Sequence, residues 1–530
     1  MTIHRRTLLK AGAAAGALAT FGNIPVFALN PAKMLGTNVM NDDSILIIIQ
    51  LFGGNDGLNT IIPADDPNYY AIRPNIAVKK DQAKRIFNSK VYFHPALVNN
   101  VYKNGFLGLI EEGRLAVIQG SGYENPNLSH FRSTDIWLSG INSSEPDAKL
   151  SDGWLGRYFS SQLPNFPIEV PDHPLCIQLG GSLSMLFKSP KGDMGIALSS
   201  PDEFFKNGQG SSTGRDIIQG NTPYVEEYNF IQAIAKQSDT YSTVVKSAYD
   251  KGKNSLNYAA GFPAQMATIA RLISGGLKTK VYMAYLGGFD THVQQQNTDN
   301  SGLHPNLMAS LATGISQFMA DALSQGFANK VVGLTVSEFG RRPYENGSNG
   351  TDHGTTSVQF AFGNRVQANV FGNDPDLQNF DRNGDLDFDL QRNIDYRRVY
   401  AEILQTWFGA TKEEVTEIFG ERVVPLPYLQ PPISYVADSF AGENNNKLRY
   451  SCNQSNGQNG HVHFELKNPA TLEVNIYDII GKYSSTVYNS EAMPGHYAIP
   501  LHTELLQNGT YICEVLADQN REILTFSIVH

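Results

Sequence analysis

Between Ser44 and Leu429 the chain alternates short apolar runs with stretches whose apolar residues recur at helical spacing, and that rhythm leaves few folds open. The runs are Ile45–Leu51, Leu115–Gln119, Leu175–Leu179, Lys280–Leu286, Val331–Val336 and Val358–Phe362. Each has the length of a buried strand. Between them Leu307, Leu311, Ile315, Phe318 and Ala322 recur every three or four residues, as do Tyr396, Tyr400, Ile403, Leu404 and Trp407. A helix carries such positions on one face. Strands alternating with helices predict an α/β fold, a mostly parallel sheet sandwiched by helices. Such sheets collect ligands at the carboxyl ends of their strands. Chemistry is therefore expected just past each run.

Those positions are polar. Phe52-Gly53-Gly54-Asn55-Asp56 follows the first run, and Asn127-Leu128-Ser129-His130-Phe131 lies beyond the second. Gly288-Phe289-Asp290-Thr291-His292 follows the fourth, and Ser337-Glu338-Phe339-Gly340-Arg341-Arg342 the fifth. A glycine-rich loop, Asn346 to Gly350, then leads into Thr351-Asp352-His353-Gly354. Each piece has a plainer reading. Asp56 before Gly57 can turn the chain, Asp290 and His292 can cap a helix, and Glu338 can pair with Arg341 or Arg342. His353 in a glycine-flanked loop is harder to assign to packing. Carboxylates and imidazoles converging from several strand ends suit a mixed oxygen and nitrogen metal site. Its candidate ligands are Asp56, Asp290, His292, Glu338, Asp352 and His353. The ion would be divalent, zinc ahead of calcium, magnesium or manganese, with one or two ions left open.

Several motifs fail on context. Gly210-Ser211-Ser212-Thr213-Gly214 has the glycine–serine spacing of a nucleophile elbow, but no apolar strand precedes it. Gly120-Ser121-Gly122 follows a strand, yet Asn125 stands where a dinucleotide fingerprint has its third glycine. There is no P-loop and no HExxH. Adjacent Ser129 and His130 are not a nucleophile–base pair on adjacency alone, because neighbouring helix side chains diverge. The acidic run Asp381 to Asp389 reads as a Ca²⁺ loop or, more simply, a solvated turn.

The chain has 530 residues, 41% hydrophobic and 17% charged, which is a globular balance. Its net charge is −10, with no dense Lys/Arg run. That argues against nucleic acid or an anionic membrane surface as partner. Three cysteines form no disulfide framework. Cys176, within an apolar run, reads as an inert core thiol. Spacing alone does not decide whether Cys452 and Cys513 pair.

The two ends speak of export. Arg5-Arg6 precedes a short Ala/Gly-rich apolar stretch, and small residues near Ala28 suit cleavage there. This reads as a twin-arginine signal peptide over residues 1–28. The stretch is shorter than the ~20 residues of a membrane span, and no other segment reaches that length, so no transmembrane helix is expected in the mature chain. The α/β domain is assigned to residues 44–430 and a Pro/Asn-rich linker to 431–460. Residues 461–530 show short alternating runs punctuated by turns, the pattern of an antiparallel β-sandwich. Within them Val474 to Lys482, Gly495-His496, Leu505 to Tyr511 and the final strand resemble the C-terminal sorting domain of the type IX (Por) secretion system. The resemblance implies twin-arginine and type IX export machineries as partners. The route would run through the periplasm to the cell surface or the medium. An ordinary adhesive or carbohydrate-binding sandwich is the alternative.

Phe52 to Asn59, Ser129 to Ser133, Gly153-Trp154-Leu155-Gly156, Gly288 to His292, Ser337 to Arg341, Gly350 to Gly354 and Asp395-Tyr396-Arg397, in that order, resemble the exported family known as domain of unknown function 1501. That family looks like a distant branch of the alkaline phosphatase and sulfatase superfamily. The resemblance implies an Asp after the first strand (Asp56), a hydroxyl nucleophile at a helix start (Ser129, then Ser133) and an Asp–His pair after a middle strand (Asp290, His292). It also implies a His on a glycine-rich loop (His353, preceded by Asp352). Where the superfamily has a carboxylate–His pair, this chain has Glu338-Phe339, so one ligand imidazole is missing. The implied activity is metal-dependent hydrolysis of phosphate or sulfate esters, on a small ester or a polysaccharide, with Arg341 or Arg342 holding the oxyanions. The alternative is a cell-surface binding or structural protein on a degenerate hydrolase scaffold.

Overall fold

The computed structural model describes residues 19–21, 24–26, 43–87, 89–99, 101–145, 148–166, 169–208, 222–378, 380, 384–386, 393–430, 434–435, 449–451, 461–466, 470–478, 483–492, 495–501, 506, 509–518 and 520–528. Residues 1–43 form one unit, in which Ala19–Phe21 pairs antiparallel with Ile24–Val26. The signal-peptide arginines and Ala28 lie outside the described residues, as do the Gly210–Gly214 motif and most of the Asp381–Asp389 run.

Among the described residues of the second unit nine strands make one sheet. They are β1 (Ile45–Phe52), β2 (Leu115–Gly122), β3 (Cys176–Leu179), β4 (Gly195–Leu198), β5 (Val281–Gly287), β6 (Val331–Val336), β7 (Ser357–Gly363), β8 (Val370–Phe371) and β9 (Ile394–Asp395). Their order is β4-β3-β5-β1-β6-β7-β2-β8, with β9 also on β2. All neighbours run parallel except β7, which is antiparallel to both β6 and β2. The expected α/β class holds: a mostly parallel sheet with helices.

The apolar runs are continuous because both faces are covered. On β1, Ile45, Ile47, Ile49 and Leu51 join one core with Met266 and Ile269 of helix Phe262–Ser274 and Ile315 and Phe318 of helix Leu303–Ser324. Leu46 and Ile48, pointing the other way, are equally buried. Tyr396–Glu402 is helical as the spacing predicts, and Ile403–Trp407 continues it as a π-turn. Register then sets the site. Gly287 of β5 pairs with Phe52, and Val336 of β6 with Gln50, so three neighbouring strands end at one edge. Their following loops leave side by side.

The C-terminal part is a β-sandwich. Ser434–Tyr435, Gly495–Pro500, His461–Leu466 and Arg449–Ser451 form one four-stranded antiparallel sheet. Tyr483–Ala492, Ala470–Asp478, Gly509–Ala517 and Asn520–Ile528 form the other. Val462, Val474, Ile476, Ile499, Val515 and Phe526 fill its core. Two short strands thus come from the stretch read as linker. Cys513 is a buried free thiol there, while Cys452 lies outside the described residues. Cys176 is a buried free thiol whose pKa burial pushes well up. Among the described residues no helix is long and apolar enough to cross a membrane.

Candidate metal centre

The loops at the sheet edge pack more tightly than side chains permit, and glycine makes this feasible. Gly53 has φ +119°, and a Cβ on it would lie 2.2 Å from the Asp290 backbone nitrogen. Gly54, at φ +79°, would meet the Phe339 ring at 2.5 Å. Glycine alone tolerates both the positive φ and the approach. Buried Arg341 then staples the loops together. Its Nε donates to the Gly54 carbonyl (2.9 Å), its Nη1 to that of Thr351 (2.8 Å), and its Nη2 to those of Gly53 and Phe289 and to Asp290 Oδ1 (2.7 Å).

Asp290 stands at the centre, its side chain 51% exposed. Three imidazole Nε2 atoms surround its Oδ1: His292 at 3.1 Å, His353 at 3.3 Å and His130 at 3.5 Å. His292 Nε2 is 3.0 Å from His353 Nε2. In each ring the opposite nitrogen faces an oxygen acceptor: Glu338 Oε1 for His130 (2.8 Å), Asp352 Oδ1 for His292 (3.2 Å) and the Leu128 carbonyl for His353 (2.9 Å). Nδ1 must therefore carry the proton, and in the neutral ring Nε2 keeps its lone pair. The buried His130 Nε2 has no hydrogen-bond partner. With the rings neutral, three lone pairs and a carboxylate face one another, an arrangement that a cation relieves, whether a metal ion or the proton of an imidazolium.

The donor set fits a metal. Donors held ~2.1 Å from a tetrahedral ion sit roughly 3.4 Å apart, and Asp290 Oδ1 lies 3.3 Å from His353 Nε2 and 3.5 Å from His130 Nε2. The ligand atoms of His130, Asp290 and His353 all lie within 4.8 Å of one another, and His292 borders that trio. Burial would raise the Asp290 pKa, but Arg341 and the imidazoles hold it down at about 2. The Glu338 hydrogen bond raises the pKa of His130, whereas burial lowers that of His353.

The expected residues divide. Asp290, His292 and His353 come together, and Asp352 stands behind His292. Glu338 is buried; its Oε1 accepts from His130 Nδ1 and from the Gly53 N–H (2.8 Å), so it orients an imidazole. Its Oε2 has no partner. It makes no ion pair with Arg341 or Arg342; among the described residues its charged partner is His130. Asp56 lies outside the cluster. It caps helix Gly57–Thr60, and its carboxylate takes Arg73 at 2.7 Å and the Gln295 amide. Burial would raise its pKa, and Arg73 more than reverses this. Ser133 is buried, with its hydroxyl on Tyr123 (2.8 Å) and the Glu338 carbonyl. Arg341 cannot clamp a substrate oxyanion because backbone carbonyls and Asp290 occupy its fork. Arg342 is half-buried, and its Nε is without a partner. Ser129, exposed, is the N-cap of the ten-residue helix His130–Ser139, yet its side chain makes no capping bond.

His130 is the candidate donor that sequence reasoning missed. Phe339 occupies the place of the expected imidazole, and its ring packs on His130 (4.8 Å) and His353 (4.6 Å). The third imidazole arrives from a different element. Phe339 left one imidazole missing from the sequence pattern, and only the fold shows that His130 stands beside it.

The arrangement defines a class: a mixed, mostly parallel α/β domain with an imidazole–carboxylate cluster at its strand ends. Within it, residues 205–419 match the family described as "Protein of unknown function (DUF1501)". That span holds Asp290, His292 and His353 but not His130. Similar solved structures include a sulfatase from a Pseudoalteromonas species, with 9% identity, 93% of this chain and 92% of that one covered, and TM-score 0.32. Another comes from a study of glycosaminoglycan metabolism by Bacteroides thetaiotaomicron, with 10% identity, coverage of 91% and 89%, and TM-score 0.33. A third is the lipoteichoic acid synthase of Listeria monocytogenes, with 8% identity, coverage of 90% and 92%, and TM-score 0.24. At such scores these likenesses carry no argument about function. No curated protein matches the chain.

Proposed function

We propose that the chain is a metal-dependent hydrolase of phosphate or sulfate esters that works after export, at the cell surface. The observation that carries this reading is the convergence of three Nδ1-anchored imidazoles on Asp290. His130, Asp290 and His353 would hold a divalent ion, with His292 as fourth donor, and imidazole-rich donors favour zinc. An ion held there supplies Lewis-acid polarisation of an ester oxygen.

The chain's own groups account for the rest. Ser129 directly precedes His130, and its hydroxyl is exposed and free of capping duty. It would attack the phosphorus or sulfur, the substrate alcohol would leave, and water would cleave the resulting serine ester. The N-terminal N–H groups of helix His130–Ser139 favour the transferred anion. Arg342 is the arginine left to bind a peripheral oxygen. Export rests on Arg5-Arg6 and on the resemblance of the tail to a sorting domain.

Elemental analysis of the purified full chain, with a panel of phosphate and sulfate monoesters, tests the proposal. Stoichiometric metal and ester turnover that a chelator abolishes are expected. A protein that binds no metal and turns over no ester favours the surface-binding reading instead.

A further inference from the structure

Asp56 and Gln295 lie deep beneath the cluster, where neither can touch a substrate. We infer that Gln295, held in orientation by the buried Asp56–Arg73 pair, is the positioning residue for the two loops that deliver His292 and His353. This rests on the reading of the cluster as a metal centre.

The amide is read at both ends. Gln295 is fully buried. Its Nε2 donates to Asp56 Oδ2, and its Oε1 accepts from the hydroxyls of Thr291 (2.9 Å) and Thr351 (2.6 Å). Those threonines, both buried, immediately precede His292 and the Asp352-His353 pair. Both loops thus meet on the one Gln295 oxygen, and the Thr351 N–H also reaches the Thr291 carbonyl directly (3.2 Å). A flipped amide would set its oxygen against the Asp56 carboxylate, which fixes its direction. Arg73 extends the same network: besides Asp56 it donates to the carbonyls of Pro343 (2.7 Å) and Arg342 (2.9 Å), in the segment leading to Asp352. A buried ion pair is weak as a source of stability. Here it tells the glutamine which way to face.

The chemistry demands one carboxylate and one amide. Gln295→Glu keeps the shape but sets two carboxylates against each other in a dry site. Asp56→Asn combined with Gln295→Glu restores one of each. Thr351→Val removes one hydroxyl at constant shape and serves if the charged variant does not fold. The probe is Co²⁺, titrated into the metal-free full chain against a competing chelator, with the visible spectrum recorded. Partners behind metal ligands typically change affinity about 10- to 100-fold. Gln295→Glu and Thr351→Val should weaken Co²⁺ binding at least tenfold and alter its spectrum, and the double variant should recover at least half of the loss on a logarithmic scale.

A second readout needs no metal. With ring-¹⁵N-labelled histidine, the metal-free wild type should show His292 and His353 as single Nδ1–H tautomers, and both variants should show mixtures. Single variants with wild-type Co²⁺ affinity and wild-type tautomers, or a double variant without that recovery, would overturn the inference. A purely structural role would lower the melting temperature and leave both readouts unmoved. If the wild type itself takes up no Co²⁺, the metal-centre reading fails, and the ¹⁵N signals still decide the role of Gln295.

Discussion

Replacing Glu338 with glutamine separates two roles for a residue that sequence reasoning placed among the metal ligands. Its Oε1 accepts from His130 Nδ1 and from the Gly53 N–H, each at 2.8 Å, while Oε2 is buried without a partner. Glutamine has the same shape and can keep both acceptor bonds, losing only the charge. Hydrogen bonds to charged acceptors contribute about 1.5–3 kcal/mol against 0.5–1.5 for neutral pairs. The bond to His130 should therefore weaken by roughly 1–1.5 kcal/mol. Loss of a carboxylate behind a metal-bound imidazole typically lowers affinity about 10- to 100-fold, or ~1.4–2.7 kcal/mol. The two routes meet near tenfold. Stability should hold, because the substitution also removes a buried charge with an unpaired oxygen. Zinc competition with a chromophoric chelator measures the affinity, and a thermal melt in chelator measures the fold. Unchanged affinity would refute the orienting role. A loss beyond a thousandfold with the fold intact would show that Oε2 itself binds the ion.

The remaining tests are quicker. Changing His130 to alanine should remove most of the bound zinc by elemental analysis and leave the fold intact, since its ring sits at the edge of the sheet; full occupancy would exclude it as a ligand. Ser129→Ala should abolish ester turnover while metal stays bound. Its stability should change by less than the ~1 kcal/mol of a lost cap, because no capping bond is present; retained turnover would point to direct attack by water. Glu402 is buried, and burial pushes its pKa up to about 8. A raised carboxyl pKa contributes stability that is complete below pH ~4.3 and is lost as pH climbs toward that value. Glu402→Gln should therefore gain stability over wild type at pH 9, by roughly 3–5 kcal/mol at 1.36 per pH unit, and show little gain at pH 5. Parallel pH profiles in urea unfolding would contradict this. Deleting the chain from Ser434 onward, where the first strand of the sandwich begins, should leave soluble protein in the periplasm; a truncated chain that still reached the surface would remove the tail from the sorting role.

Local pattern alone was enough for six of the nine described strands of the main sheet, though not for Gly195–Leu198, Val370–Phe371 or Ile394–Asp395, and for the edge where the polar loops gather. A run such as Ile45–Phe52 can satisfy its backbone and bury both faces only inside a covered sheet, and helical spacing from Leu307 to Ala322 supplies the cover. The polar loops after β1, β5 and β6 follow from that, and with them Asp290, His292 and His353. Strand direction did not follow. Val358–Phe362 reads like its neighbours, yet β7 runs antiparallel, because an apolar run carries no mark of its orientation. Nor could a one-dimensional reading say which polar side chains face each other. Asp56 looked like a ligand until Arg73, seventeen residues on, proved to occupy it; Arg341 looked like an anion clamp until backbone carbonyls filled its fork. His130 looked incidental beside Ser129. Its partners, Glu338 and Asp290, are more than 150 residues away. Hydrogen-bond saturation and lone-pair direction belong to pairs of atoms that only folding brings together, so residue types were legible in the chain, and which of them face one another was decided by tertiary structure.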